Sequence, residues 1–168
     1  VTDVNEAPTD ISLSNASVAE NAGADATVGT LSTTDSEGGA MTYTITAGGT
    51  DFNISGSTLR ATSSFNYETT TSQSVTIRVT DDGGLTYDET FTINVTDVNE
   101  APTDISLSNA SVAENAGADA TVGTLSTTDP EGGAMTYTIT AGGTDFNISG
   151  STLRATNSFD YEVTNSYS

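Results

Sequence analysis

Apolar and polar residues alternate with a period of two over much of the chain. In the segments 11–14, 41–46, 75–79 and 91–95, every second residue is apolar and a polar residue stands between. This period is typical of a strand that buries one face and exposes the other. The threonines and valines that dominate these segments also fit a pleated surface well. The pattern therefore predicts four half-buried β-strands.

Three further segments complete the predicted set of strands. Residues 52–54 and 59–61 flank the turn formed by Ser55-Gly56-Ser57, and residues 27–33 form a less regular strand in which Gly29 indicates a bulge. No segment shows a convincing helical period. Seven short strands separated by turns, within 94 residues, predict an all-β fold: an antiparallel β-sandwich.

The whole pattern occurs twice. Residues 1–74 match residues 95–168 at all but six positions, with an offset of 94. A period of this length is that of a domain, so it predicts tandem sandwiches and not a continuous solenoid. The predicted organisation is the end of a preceding linker at 1–6, a first repeat at 7–96, a linker at 97–100, and an incomplete second repeat at 101–168.

The second copy lacks the last two strands of the first. Counting by 94, the equivalents of 75–79 and 91–95 would lie beyond Ser168. Without them, we expect the inner face of the second copy to be uncovered and one strand edge to be open. Two interpretations follow. The sequence is a fragment of a longer array, or another chain supplies the missing strands by strand donation.

The charge balance and the missing residue types exclude several classes of function. The chain has 3 Lys+Arg against 23 Asp+Glu, a formal charge of −20, and it has no Cys, His, Lys or Trp. It therefore offers no disulfide, imidazole base, ordinary zinc site or Schiff base. Nucleic-acid binding and docking on an anionic membrane need several cations on one surface, and this chain has only three dispersed arginines. No apolar run reaches the length of a membrane span.

The acidic residues concentrate in predicted loops and at strand ends. In the first copy these positions are Glu20, Asp35, Glu37, Glu68, Asp81, Asp82, Asp97 and Glu100. Clusters rich in oxygen and poor in nitrogen suit calcium, a hard cation that takes six to eight oxygen ligands. The alternatives are a solvated acidic surface or an adaptation to high salt. A glycosidase acid/base pair is disfavoured, because near-identical tandem copies imply a scaffold and no substrate pocket. We expect no enzymatic activity.

Five motifs carry a resemblance to a known family. In order they are Val18-Ala19-Glu20-Asn21, Thr34-Asp35-Ser36-Glu37-Gly38, Phe65-Asn66-Tyr67-Glu68, Val79-Thr80-Asp81-Asp82-Gly83 and Asp97-Val98-Asn99-Glu100-Ala101-Pro102. The chain resembles the cadherin repeat, in the form found in large secreted surface adhesins of bacteria. The resemblance implies seven-stranded Greek-key sandwiches strung end to end. It also implies Ca²⁺ at each junction, held by the upstream domain, the linker and the downstream domain.

The resemblance implies a ligand set for each junction. Between the two copies the expected ligands are Glu20, Asn66, Glu68, Asp97, Asn99, Glu100, Asp129 and Glu131. At the junction before the first copy they are Asp3, Asn5, Glu6, Asp35, Glu37 and Asp81. Glu114, Asp160 and Glu162 would face a later linker. The family linker is one residue longer before its Ala-Pro, so we expect one or two ions, not three, between the copies.

The expected function is that of a calcium-dependent spacer and adhesion repeat in an extracellular, cell-surface protein. Its expected partners are neighbouring repeats of the same chain, with homophilic contacts or polysaccharide as further options. One alternative is a carbohydrate-binding module, in which Tyr67 and Tyr87 could stack on a sugar ring. The other is a filament subunit completed by strand donation.

Overall fold

The computed structural model describes residues 2 and 4–167. These residues form twelve β-strands, and no helix occurs among them. The chain divides into two compact units, Val1–Val98 and Asn99–Ser168, called unit 1 and unit 2 below. In the described part of the chain, no helix has the length and hydropathy needed to cross a bilayer.

Unit 1 is a sandwich of two four-stranded sheets. Its strands are β1 (Asp10–Leu13), β2 (Ser17–Ala19), β3 (Thr27–Thr34), β4 (Thr42–Ala47), β5 (Phe52–Ser55), β6 (Thr58–Ala61), β7 (Ser72–Thr80) and β8 (Thr86–Thr96). One sheet has the order β1-β3-β6-β5 and the other has the order β2-β8-β7-β4. The apolar residues of the alternating segments point between the sheets and form one core, in which Leu59, Ile77 and Ile93 are fully buried.

The hairpin of β7 and β8 supplies much of that core. It is paired without interruption from Ser72↔Asn94 to Thr80↔Thr86. On its inner face lie buried Val75, Ile77 and Val79. Because side chains alternate across a strand, the outer face carries polar groups, among them the ion pair of Arg78 with Asp88. In the sheet this hairpin lies between β2 and β4.

The segment 10–19 contributes one strand to each sheet, β1 to the first and β2 to the second. Unit 1 therefore has eight strands where the sequence predicts seven. β1 pairs with β3 in one sheet, and β2 pairs in parallel with β8 in the other. Asn15 stabilises the chain where it passes from the first sheet to the second, since its side-chain amide donates 2.7 Å hydrogen bonds to the carbonyl oxygens of Ser17 and Val28. The predicted bulge at Gly29 is confirmed. A Cβ there would lie 2.6 Å from the Asn15 carbonyl oxygen, so only glycine fits.

Over its described residues, unit 2 forms a single four-stranded sheet. Its strands are β9 (Asp104–Leu107), β10 (Thr121–Thr128), β11 (Phe146–Ser149) and β12 (Thr152–Ala155), in the order β11-β12-β10-β9. The register repeats that of the first sheet of unit 1, including the bulge, here between Thr121 and Gly123.

Two segments of unit 2 differ from their equivalents in unit 1. Residues 136–141 and 111–113 correspond to β4 and β2, yet neither forms a strand. The sequence predicts five strands in the second copy and the structure has four. The physical reason is the absence of a ladder partner: β4 pairs with β7 and β2 pairs with β8, and the described part of unit 2 has no equivalent of either.

Candidate metal centres

Among the described acids of unit 1, Glu20 is the most buried, and it follows β2 directly. Its side chain is 2% exposed. One carboxylate oxygen accepts a 2.8 Å hydrogen bond from the N–H of Tyr67, and the other accepts a 2.9 Å bond from the N–H of Val98. A buried carboxylate is tolerated only when such donors or a cation compensate for lost hydration. Glu20 therefore joins the loop after β6 to the first residues of the linker.

The other upstream candidates of unit 1 surround Glu20. A carboxylate oxygen of Glu68 lies within 4.8 Å of one from Glu20. The side-chain oxygen of Asn66 accepts a 2.8 Å hydrogen bond from the N–H of Thr69, so it closes a local turn in the loop that carries Glu68. Asp97 is exposed at the start of the linker. Two carboxylates this close favour a shared cation.

Unit 2 contains the equivalent acidic set. Oxygen atoms of Glu114, Asp160 and Glu162 all lie within 4.8 Å of one another. Glu114 accepts a 3.2 Å hydrogen bond from the N–H of Tyr161, which repeats the bond between Tyr67 and Glu20. Asp160 accepts bonds of 3.0 and 3.3 Å from two backbone N–H groups of the turn that follows it. All three acids are exposed, because nothing in the described part of unit 2 covers them as the chain after β8 covers Glu20.

The linker residues at the start of unit 2 contact a downstream acid. The N–H of Glu100 donates a 3.2 Å hydrogen bond to Glu131, and the side chain of Asn99 donates a 3.0 Å bond to the Glu100 carbonyl oxygen. The neighbouring Glu100 carboxyl, as the protonated partner of the pair, holds the pKa of the Glu131 carboxyl below its ordinary value. Burial opposes this lowering of the pKa, and the backbone N–H of Glu100 adds to it.

The same arrangement occurs at the start of unit 1. The N–H of Glu6 donates a 3.0 Å hydrogen bond to Glu37, as Glu100 does to Glu131. The N–H of Glu37 donates a 3.2 Å bond to one oxygen of Asp35. The second oxygen of Asp35 is buried and has no hydrogen-bond partner among the described residues. Such an oxygen fits a cation ligand, since a buried unpaired acceptor is otherwise costly. Asp3 lies outside the described residues.

Asp81 joins this downstream set through Asn5. The side-chain amide of Asn5 donates a 2.9 Å bond to Asp81, and the N–H of Leu85 donates a 2.8 Å bond to its other oxygen. Burial raises the pKa of Asp81, but the bonds from Asn5 and from the backbone of residues 83–85 outweigh it and lower the pKa. Within the described residues, the carboxylate oxygens of Asp35, Glu37 and Asp81 do not form a group within 4.8 Å.

Asp82 is near this set, although it was not among the predicted ligands. A Cβ placed on Gly39 would lie 2.8 Å from an oxygen of Asp82, so this carboxylate borders the turn that follows Glu37. The signal in the sequence was its position beside Asp81 in an Asp-Asp-Gly-Gly turn. Of the two tyrosines considered for sugar stacking, Tyr87 packs against the core of unit 1.

The charges of these sets are not balanced by arginine. In the part of the chain that the structure describes, the one ion pair is that of Arg78 with Asp88, on the outer face of the β7–β8 hairpin. Glu20 is therefore compensated by backbone N–H donors and not by a cationic side chain. Sites of this kind, rich in carboxylates and without nitrogen ligands, are chemically suited to calcium.

Comparisons with known proteins show what the fold resembles. No model of a protein family matches the chain, and no curated protein matches it. Among solved structures, human protocadherin-24 EC1-2 superposes with a TM-score of 0.71 at 20% identity, covering 95% of this chain and 81% of that one. Mouse cadherin-23 EC22-24 gives a TM-score of 0.65 at 20% identity, covering 89% and 53%. The human desmocollin-1 ectodomain gives 0.59 at 21% identity, covering 94% and 35%.

These similarities show that the fold is a cadherin-like β-sandwich. The predicted fold class, an all-β cadherin-like sandwich, is confirmed; among the described residues, unit 1 has both sheets and unit 2 has one.

Proposed function

We propose that this chain is a calcium-dependent spacer and adhesion module of an extracellular protein. The observation that carries the proposal is the group formed by Glu114, Asp160 and Glu162, whose oxygens all lie within 4.8 Å of one another. Unit 1 repeats the group with Glu20 and Glu68 at equivalent positions. In both units, a backbone N–H of the same loop holds the first acid of the group.

Electrostatics favours a cation in each group. Two unit charges about 5 Å apart repel by roughly 1 kcal/mol in water and about 3 kcal/mol at an effective dielectric of 20. Calcium would remove this repulsion and accept further oxygens from backbone carbonyls, to a total of six to eight. Magnesium fits less well, because it retains several waters and demands octahedral geometry.

The linker supplies the reason to propose shared ions. Val98 N–H binds Glu20 of unit 1, and two residues later Glu100 N–H binds Glu131 of unit 2. The chain thus passes directly from one acidic set to another. The proposed ligands between the repeats are Glu20, Asn66, Glu68, Asp97, Asn99, Glu100, Asp129 and Glu131. The proposed ligands before unit 1 are Asp3, Asn5, Glu6, Asp35, Glu37 and Asp81.

The proposed role of the ions is mechanical. With calcium, a hinged connection between repeats becomes stiff, and an array of repeats can hold a binding element away from a cell surface or contact neighbouring chains. The likeness to cadherin ectodomains supports an extracellular setting. Extracellular modules typically bind calcium with dissociation constants of about 10⁻⁴ to 10⁻³ M. The module itself performs no catalysis in this proposal.

Small-angle scattering of the full chain tests the proposal. We expect a longer and stiffer particle in millimolar calcium than in chelator, and no such change in the double variant Glu20→Gln/Glu68→Gln. The matched control is Asp25→Asn/Asp119→Asn, which removes the same charge at exposed positions of positive φ that asparagine tolerates. Identical scattering with and without calcium would overturn the proposal.

A further inference from the structure

Strand β4 is the last strand of the second sheet of unit 1, so one of its edges is open. It pairs with β7 on one side, and on the other side no described residue forms a ladder with it. An edge strand presents a row of unpaired backbone N–H and C=O groups that a further strand can bind. The open edge follows from the order of the strands within unit 1 and does not involve unit 2.

The other three edge strands of unit 1 have features that hinder pairing with another chain. β1 contains Asp10, and the N–H of Ile11 is already bound by Glu89. β2 is three residues long and is followed directly by Glu20. β5 is four residues long and follows Asp51. Short length and charged side chains are the usual means by which sheets avoid edge-to-edge association.

β4 lacks these protective charges. The longest segment of the first copy without a charged residue is 38–50, and it contains the whole of β4. The one irregularity is a bulge after Ile45, which limits the regular edge to Thr42–Ile45. Two chains that each carry a formal charge of −20 repel one another. The uncharged edge of β4 is therefore a place where two copies can meet with little local repulsion.

An apolar groove lies beside this edge. It has a volume of about 350 Å³, and its lining includes Met41, Tyr43 and Ile54 together with Gly56 and Ser57 of the turn between β5 and β6. The three apolar side chains pack against the core but are only half-buried. A strand added to β4 would therefore find backbone partners at the edge and a place for its apolar side chains in the groove.

We propose that β4 pairs in antiparallel register with β4 of a second copy of this chain, about a two-fold axis at Tyr43. In this register Thr42 lies opposite Thr44 of the second copy, Tyr43 lies opposite Tyr43, and Met41 lies opposite Ile45. Directly opposed side chains share one face of the sheet. The threonine pairs then lie on the outer face, and the apolar pairs lie on the inner face beside the groove.

The alternation in β4 favours a second copy as the occupant, because the strand is complementary to itself. Thr42 and Thr44 are exposed, and Tyr43 is half-buried. Pairs of threonines and pairs of aromatic or β-branched residues are the cross-strand pairs that stabilise sheets. An axis at Thr44 would place Thr46, at the bulge, opposite Thr42, so we infer the axis at Tyr43. A contact that uses the same edge of both copies is closed and gives a dimer, not a fibre.

Analytical ultracentrifugation of the full chain in chelator tests the proposal. The contact involves none of the acidic sets, so the inference goes beyond the proposed function and can fail or hold without it. We expect a dimer with a dissociation constant on the order of 10⁻⁴ M, since the interface is smaller than the standard size. Added salt should strengthen the dimer by about threefold or more, because it screens the repulsion between the two acidic chains.

Matched variants locate the contact. Thr42→Glu/Thr44→Glu places like charges directly opposite one another, so it is expected to weaken the dimer by about tenfold or more. The control Thr86→Glu/Thr92→Glu adds the same charge at exposed positions of β8, an interior strand of the same sheet, and is expected to leave the dimer unchanged. Unchanged protection of the β7 amides from hydrogen exchange will show that both variants keep their fold.

Disulfide formation tests the register, because the chain has no cysteine of its own. Opposed residues of an antiparallel pair have Cα atoms about 4.5–5.5 Å apart, within reach of a disulfide. A mixture of Thr42→Cys and Thr44→Cys chains in a glutathione buffer is therefore expected to form the mixed cross-link. Either variant alone is expected to stay unlinked, since diagonal neighbours lie about 7–8 Å apart.

Three results would overturn the proposal. The first is a chain that stays monomeric at about 1 mM, with or without added salt. The second is self-association that Thr42→Glu/Thr44→Glu does not weaken or that salt weakens, since either result would assign the contact to another surface. The third is a cross-link that forms between like positions and not between 42 and 44.

Discussion

The same six residues, Thr-Tyr-Thr-Ile-Thr-Ala, form strand β4 in unit 1 and an irregular segment at 136–141 in unit 2. The flanking sequence is also identical, since residues 37–62 match residues 131–156 at every position. The difference lies in the neighbour. β4 has β7 beside it, and 136–141 has no such partner in the described structure. The β-propensity of this segment is therefore not sufficient to form a strand. A neighbouring strand that pairs with it is also required.

The first sheet behaves differently, because all of its strands are present in both copies. Its order and register are the same in the two units. The two units differ in how far this sheet is buried: Ile11 is 1% exposed, and its equivalent Ile105 is 69% exposed. In unit 1 the N–H of Ile11 also donates a 3.0 Å bond to Glu89 on β8. The β7–β8 hairpin thus buries the first sheet in addition to completing the second.

The largest expected effect is that of a charge placed inside the hairpin. Ile77→Asp puts a carboxylate at a position with 0% exposure, so we expect unit 1 to lose about 4 kcal/mol or more of unfolding free energy. Residues 42–47 should then exchange their amide hydrogens as fast as residues 136–141. Chemical denaturation and hydrogen exchange measure the two effects.

The control Thr92→Asp, on the outer face, should change stability by less than about 0.5 kcal/mol. Protection of 42–47 that survives Ile77→Asp would contradict the explanation by a missing partner.

A matched pair of truncations sharpens the comparison of burial. Ile11→Ala removes a fully buried side chain and should cost about 2–4 kcal/mol in unit 1. Ile105→Ala makes the same chemical change at an exposed position and should cost less than about 0.5 kcal/mol in unit 2. Thermal unfolding of the two variants, followed by signals from each unit, gives the values. Equal costs would show that Ile105 is covered in solution.

Calcium should stabilise the set around Glu20 more than the set around Glu114. The first set has a buried carboxylate that is already fixed by two N–H donors, and the second is exposed. At about 10 mM calcium and a dissociation constant near 10⁻³ to 10⁻⁴ M, linkage gives about 1.4–2.7 kcal/mol of added stability. Glu20→Gln should remove most of this gain from unit 1, and Glu114→Gln should leave it. Calorimetric melting with and without calcium checks both variants; equal losses would contradict the expected ranking.

The smallest expected effect concerns the ion pair of Arg78 and Asp88. Arg78 donates hydrogen bonds of 2.7 and 2.8 Å that lower the pKa of Asp88, and both side chains are more than 40% exposed. Because the pKa of Asp88 is lower when folded, the pair adds stability above the ordinary aspartate pKa and loses it as pH falls through the folded value. The pair is exposed and screened, so Arg78→Gln should hardly change the melting temperature at about pH 7. The difference from the parent chain should shrink as the pH falls through the lowered pKa of Asp88; a difference that grows in acid would refute the assignment.

Much of unit 1 was predictable because its strands alternate cleanly and Gly29 marks a bulge. The sequence did not reveal β2, since three residues are too few to show a period and the partner of β2 is parallel and distant in the chain. It also did not reveal the irregular form of 136–141, which depends on a missing neighbour and on no local residue. The acids were correctly placed in loops, but the burial of Glu20 and the position of Asp82 depend on how the chain folds over them. Their assignment as ligands of calcium stays a prediction.

Direct detection of the metal tests the central claim. Crystals of the full chain grown in millimolar calcium should show an anomalous scattering peak bound by Glu20 and Glu68, with metal–oxygen distances of about 2.3–2.6 Å. The peak should be absent from the Glu20→Gln/Glu68→Gln variant and retained in Asp25→Asn/Asp119→Asn. A well-ordered Glu20 and Glu68 without an anomalous peak, in crystals that contain millimolar calcium, would contradict the account.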